Sequence, residues 1–297
     1  MDALTETDLR ELRRLVADYF SARGREVVID PWQARSEGRI FGLINVFQEA
    51  ACIERGEWPD YIARRFDVFD RVDTELPDTY ELVAPRLRVR LAVDEAVRHY
   101  DPSVRRRICD GLSEILMVRF DSGSFTMPPE AWSRWEISCD LVWKDAVEHT
   151  VWDEPRERRL AISPSGVRLG WIGGGWFASS MLLDLARFLP PSLEHGAMVM
   201  VPCNDALLFA HLDERAPEAF AALLEFGGRW YADGPHAISP DVFWWRPGKI
   251  ERLTAHDGKR WQPCWGAEFS KALADLDPTS GSGAGFFGPG PQKPPPN

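Results

Sequence analysis

The sequence predicts an α+β protein: a mixed or antiparallel sheet with a central hairpin, covered by amphipathic helices and followed by a Pro/Gly-rich tail expected to be disordered. Three observations carry that expectation. The stretch AMVMVPCNDALLFAHLDE at 197–214 has two apolar limbs, 198–201 and 206–212, on either side of Pro202-Cys203-Asn204-Asp205. This is the pattern of two buried strands and a tight turn, since Asn and Asp tolerate turn conformations and Pro, lacking an N–H, belongs at a strand end. Elsewhere apolar residues recur at helical spacing, as in Leu9, Leu12, Leu15, Val16 and Tyr19. From Asp277 onward the composition turns to PTSGSGAGFFGPGPQKPPPN, which offers almost nothing to bury.

Taken in order, Thr5 caps a helix over 6–23 that ends near Gly24. A short strand at 26–29 stops at Asp30-Pro31, 40–55 reads as a buried helix, and Glu57-Trp58-Pro59 opens another to about Asp70. LRVRLAV at 87–93 alternates with period two and predicts a half-buried strand; ILMVRF at 115–120 predicts a second, with 97–109 a helix or irregular crossing between them. Pro128-Pro129 starts a short helix through Trp132 and Trp135, and Ser138 caps a longer one with Leu141, Val142, Ala146 and Val147 on one face. Strands follow at 160–162 and 167–172, then a glycine run, a helix over 177–188, the central hairpin and a helix opened by Pro217. A terminal hairpin, 238–246 with 249–253, turns at Pro247-Gly248. The expected organisation is a helical N-terminal region with one short strand (1–84), an α+β domain (85–276) and the tail (277–297).

The 297 residues are 44% apolar and 27% charged, a globular balance. A net charge of -11 removes the electrostatic footprint of nucleic-acid or anionic-membrane binding. Cys52, Cys109, Cys139, Cys203 and Cys264 have no C-x-x-C spacing, and the six histidines never fall at H-x-x-x-H, so no disulfide framework, metal site or cofactor is expected. With no apolar run of membrane-spanning length and no secretory signal, the expected location is the cytoplasm.

Thirteen tryptophans are the strongest compositional oddity. They either fill the core or include an exposed binding surface, for which Trp244, Trp245, Trp261 and Trp265 are the candidates. Trp244 and Trp245, adjacent in one strand, are expected to point to opposite faces.

Catalytic candidates are few. GWIGGG at 170–175 precedes a helix but fits neither dinucleotide nor Walker spacing, and reads as a packing turn. Ser179 follows on that helix, Cys203 sits beside Asn204-Asp205, and His211 alternates with Asp213 at the end of the central strand. Ser179 with Ser180 becomes a nucleophile only if His149, His211 or His236 converges on them, and Cys203 is the best candidate for a reactive thiol.

LRVRLAV, ILMVRF followed by WSRWEISCDLVWKDAVEHTV, and later WFASSMLLDLARFLP, VMVPCNDALLFAHLDE and ISPDVFWWRPGKIERL stand in an order that resembles the bacterial YtpQ-like family, the domain of unknown function numbered 1444. The resemblance covers about 85–255 and implies a cytoplasmic α+β fold with no established activity. Together these readings favour a non-catalytic interaction or regulatory module with a protein partner. The alternatives are a hydrolase-type enzyme using Ser179, Cys203 and His211 near the hairpin, and an antitoxin-like inhibitor that presents its acidic face to a basic protein.

Overall fold

Thr5 opens the first helix, α1 (Glu6–Ser21), through a reciprocal capping box: its hydroxyl accepts the Asp8 N–H and the Asp8 carboxylate accepts the Thr5 N–H. The computed structural model describes residues 4–276 apart from 32, 38, 72–75, 99, 121–122, 192, 194, 234–235 and 257–259; the Pro/Gly-rich stretch 277–297 lies outside the described residues. The chain divides into two units, Met1–Glu75 with Phe120–Gly123, and Leu76–Arg119 with Ser124–Asn297.

In the first unit β1 (Val28–Asp30), β2 (Gln33–Ser36) and β3 (Arg39–Gly42) form an antiparallel sheet, followed by α2 (Ile44–Ala50) and α3 (Trp58–Arg71). The helix expected from residue 40 starts only at Ile44. Phe41 instead extends along Ala34, which sets its ring 5.4 Å from Phe20 and 5.6 Å from Phe66 in the core shared with α1 and α3. Core contact outweighs a weak local helical preference here.

The second unit holds two larger sheets. After α4 (Tyr80–Val83), β4 (Leu87–Val93) pairs with β6 (Leu112–Phe120), which also pairs with β5 (Arg105–Cys109) and β7 (Gly123–Thr126). Between β4 and β5 lies the single turn α5 (Asp94–Val97). The expected helix or irregular crossing at 97–109 is therefore corrected to an edge strand over its last five residues, β5. Its run Arg105-Arg106-Arg107 lacks apolar alternation, and only pairing with Ile115, Glu114 and Ser113 makes it a strand. β4 is also buried more than its alternation implied: Arg88 is inside.

Helix α6 (Trp132–Trp135) precedes α7 (Cys139–Asp153), whose N-terminus is capped by Ser138 Oγ accepting the Leu141 N–H at 3.3 Å. The inward face of α7 is Val142, Trp143, Ala146, Thr150 and Val151, with Leu141 outside. The expected Leu141–Val147 face is thus rotated, because Thr150 satisfies its hydroxyl on the Ala146 carbonyl and reaches the edge strand β4, accepting the Val89 N–H at 2.8 Å.

β8 (Glu157–Ile162), β9 (Arg168–Gly173), β10 (Ala197–Cys203), β11 (Ala206–His211), β12 (Val242–Arg246) and β13 (Lys249–Arg252) form a six-stranded sheet in the order β13-β12-β10-β11-β9-β8, every neighbouring pair antiparallel. The hairpin expected at the centre, β10 with β11, takes the two middle places. Alternation then divides its apolar residues between two cores. Val199, Val201, Leu207 and Phe209 face the 3-10 helix Ala178–Arg187, while Met198, Met200, Leu208 and Ala210 face α8 (Ala216–Asp233) and α9 (Ala267–Ala274). The helix expected over 177–188 is 3-10 in form and breaks at Asp184, where φ is -136° and ψ 40°. A small ladder, β14 (Thr254–His256) with β15 (Trp261–Pro263), leads to α9.

Packing in the first of these cores depends on Gly170: a Cβ there would lie 2.3 Å from the Phe209 ring. Gly170→Ala is expected to cost about 1–3 kcal/mol by overpacking. Urea unfolding checks this, and a variant as stable as the parent would mean that the ring moves aside freely.

Glu114 adds a pH dependence. On β6, opposite Leu91 and Arg106, its carboxyl is pushed up to about 7 by burial, with Arg106 pulling the other way. The folded state holds this proton more tightly than the unfolded chain does. The charged form therefore carries no penalty below the ordinary value of 4.5, and the penalty grows with rising pH until it is complete above about 7. Glu114→Gln is expected to stabilise the protein by about 1–3 kcal/mol at pH 8 and to change little at pH 4.5. Thermal unfolding of both proteins across that range checks it, and equal pH slopes would refute it.

Candidate functional site

The Pro202–Asp205 turn brings the nucleophile candidates to one end of the central hairpin. Ser179 N–H donates to the Asn204 carbonyl at 3.0 Å, which seats the start of the 3-10 helix on the turn, and Asn204 N–H donates to the His236 carbonyl at 3.2 Å. His236 holds a left-handed backbone, φ 61°, and its ring stands edge-on to Trp176 with centroids 4.1 Å apart. The sequence offered His236 only as one of several histidines. Its backbone pairing with a turn more than thirty residues earlier had no local signal.

The chemistry at this end is muted. Ser179 and Ser180 are fully buried, and neither hydroxyl has a hydrogen-bond partner among the described residues. The buried Cys203 thiol donates to Asp205 Oδ1 at 3.0 Å. Burial, then that carboxylate, pushes its pKa upward, away from the thiolate form that a nucleophile needs.

His211 and Asp213 are at the opposite end. The β10–β11 register pairs Ala197 with His211 and Cys203 with Ala206, so His211 lies five residues along β11 from the turn. At strand rise this is roughly 17 Å, well beyond hydrogen-bond reach. Asp213 accepts the Arg215 N–H at 2.9 Å, and desolvation raises its pKa while the nearby His211 pulls it down. The expected grouping of Ser179, Cys203 and His211 is therefore corrected: the first two share one end of the hairpin, and His211 with Asp213 occupies the other. His149 is engaged elsewhere, with Asp153 at 2.8 Å along α7.

The glycine run packs closely. A Cβ on Gly175 would lie 2.4 Å from the Pro155 carbonyl oxygen, so glycine is required there by backbone approach. No disulfide joins the five cysteines, and no group of three His, Cys, Asp or Glu among the described residues is placed to hold a metal ion.

The four tryptophan candidates separate into two pairs. Trp244 and Trp245 do point to opposite faces, and both faces are covered: Trp244 packs with the α8 and α9 core and Trp245 with the core under the 3-10 helix. Their expected role as an exposed contact is corrected, since β12, paired on both sides by β13 and β10, leaves neither indole at the surface. Trp261 and Trp265 lie nearer solvent. Trp261 is half-buried, donates its indole N–H to the Pro240 carbonyl at 2.6 Å and approaches Gly228 of α8. Trp265 is 38% exposed and meets Phe220 of α8 edge-on at 5.8 Å and Phe269 of α9 at 5.8 Å.

A further tryptophan joins them. Trp230 on α8 is 37% exposed and stands edge-on to Trp171 at 5.9 Å, with the Arg159 guanidinium 5.1 Å from the Trp171 ring. Helix α8 thus carries Trp230 and is approached by Trp261 and Trp265, each anchored by a contact, and Trp230 and Trp265 are more than a third exposed. The sequence marked Trp261 and Trp265 but missed Trp230, which sits in the last turn of α8 next to Arg229 and looks like an ordinary helical position.

No helix among the described residues is long and apolar enough to cross a membrane. Against this geometry, comparison with known proteins finds no matching family model, no matching curated protein and no matching solved structure.

Proposed function

We propose that this protein is a non-catalytic interaction or regulatory module of the cytoplasm that contacts a protein partner through the aromatic surface around α8. The observation that carries the reading is the pairing of exposed, anchored indoles at Trp230 and Trp265 with buried nucleophile candidates. Indoles held by neighbouring rings lose little entropy on binding and present a large apolar area, the physical profile of an interface hot spot. The hydrolase alternative is less well supported, because a protonated thiol and two enclosed hydroxyls offer no group for a substrate in water to meet.

Two measurements test this. The native protein treated with a fluorophosphonate and with iodoacetamide is expected to stay unmodified at Ser179 and Cys203, and stoichiometric labelling of either would restore the enzyme reading. A photo-crosslinking residue at 265 in cells is expected to give a discrete protein adduct, which the same residue at the exposed α7 position 141 does not; identical patterns would remove the surface from consideration.

A further inference from the structure

Strand β8 is the last strand on one side of the six-stranded sheet, and no strand among the described residues pairs with its outer edge. The direction of its backbone groups follows from the register. Ser163 N–H donates to the Val167 carbonyl at 2.9 Å, and from that pair the β8–β9 ladder alternates, so Glu157, Arg159 and Ala161 exchange hydrogen bonds with Gly173, Trp171 and Leu169. Arg158, Leu160 and Ile162 therefore turn their N–H and C=O groups away from β9, toward the open edge. Their side chains share one face with Arg168, Gly170 and Ile172.

Natural edge strands are blunted by shortness, bulges, Pro or charge. β8 runs six residues without a register shift or a Pro, and it carries large apolar side chains in the open: Leu160 is 42% exposed and Ile162 65%. Charge is what remains. Arg158 precedes Leu160 on β8 and Arg168 lies opposite Ile162 on β9, both exposed, and Arg158 stands near enough to the half-buried Arg156 to act on it electrostatically. No Asp or Glu occupies this face of β8 or β9, since the one acid of β8, Glu157, points to the other face and pairs there with Arg159. On a chain of net charge -11 the edge is a local basic strip.

We propose that β8 is a docking edge for an extended acidic segment of a partner protein, which continues the antiparallel order of the sheet with an acid opposite Arg158 and apolar residues opposite Leu160 and Ile162. Main-chain bonds to residues 158, 160 and 162 give such a strand its hold, and the side chains beside them give its sequence preference. The basic strip that deters indiscriminate pairing selects for an acidic strand. A second copy fits less well. Antiparallel self-pairing centred on Leu160 would gather Arg158 and Arg168 of both chains on one face with no acid among them, between two chains each of net charge -11. Leu160 and Ile162 lie on the face that Ile172 turns to the 3-10 helix, away from α8, so this edge and the aromatic surface stand or fall separately.

The test titrates the full chain into two fluorescein-labelled peptides, VTVTETE, which in antiparallel register sets Glu opposite Arg158 and Val opposite Leu160 and Ile162, and its basic counterpart VTVTKTK. Saturable anisotropy is expected for the acidic peptide, with about 10-fold tighter binding than for the basic one. Leu160→Pro removes an N–H that points outward and that β9 does not use, so the variant is expected to fold and to lose the acidic peptide. Arg158→Glu, a surface change that spares the backbone, is expected to reverse the preference toward VTVTKTK. Absence of saturable VTVTETE binding by the parent protein overturns the docking edge, as does equal binding by a folded Leu160→Pro. An unchanged preference in Arg158→Glu overturns the acidic assignment however Leu160→Pro folds. Sedimentation that finds dimers of the parent, abolished by Leu160→Pro, overturns the partner in favour of a second copy.

Discussion

Glu154→Ala is expected to lower the unfolding free energy by about 3–5 kcal/mol. The Glu154 side chain is 3% exposed and that of Arg88 is 7% exposed, and the two meet at 2.5 Å where the end of α7 reaches β4. Arg119 reaches the same carboxylate oxygen at 2.5 Å from a side chain that is 45% exposed. Removing the carboxylate leaves Arg88 enclosed with only two carbonyls for company, whereas Arg119 can turn to water. The asymmetry predicts that Arg119→Ala costs under about 1 kcal/mol. It also predicts that Arg88→Met with Glu154→Leu restores much of what Glu154→Ala removes, because an apolar pair leaves no buried charge behind. Urea unfolding of the three variants beside the parent checks the set. A small effect of Glu154→Ala would show that Arg88 finds solvent or another acceptor once released.

Trp244→Ala is expected to cost a similar amount, about 3–5 kcal/mol, through the lost burial of a large side chain and the cavity it leaves. The Trp244 indole N–H donates to the His195 carbonyl at 2.8 Å, Phe269 lies 5.1 Å from it, and the Arg246 guanidinium covers the ring at 3.7 Å. Trp265→Ala removes the same side chain from a rim position and is expected to change stability by under about 1 kcal/mol. Thermal and urea unfolding of the two variants side by side separate core from surface. Comparable losses would place Trp265 in the core and remove it from the interaction surface.

The features legible in the residues were the local ones. Thr5 and Ser138 cap helices because a hydroxyl three residues from an N–H needs no distant partner, and both bonds form. The central hairpin was readable because two apolar runs around Pro202-Cys203-Asn204-Asp205 admit few other arrangements, and it takes the middle of the sheet. The opposite orientations of Trp244 and Trp245 follow from strand alternation alone.

Everything that depended on strand order was beyond local pattern. The arginine run of β5 becomes a strand only beside β6, and β3 only because Phe41 is drawn into a core with Phe20 and Phe66. His211 and Cys203 are close in sequence, yet antiparallel pairing sends them to opposite ends of one hairpin, while His236 arrives at the turn from a later segment. In LRVRLAV, read as a half-buried strand by its alternation, both arginines take the same parity. Glu154, 66 residues after Arg88, compensates that arginine, and no ion pair forms at Arg90 among the described residues. Periodicity reports which face of an element a residue occupies; whether a charge on that face is paired depends on which distant element the fold sets against it.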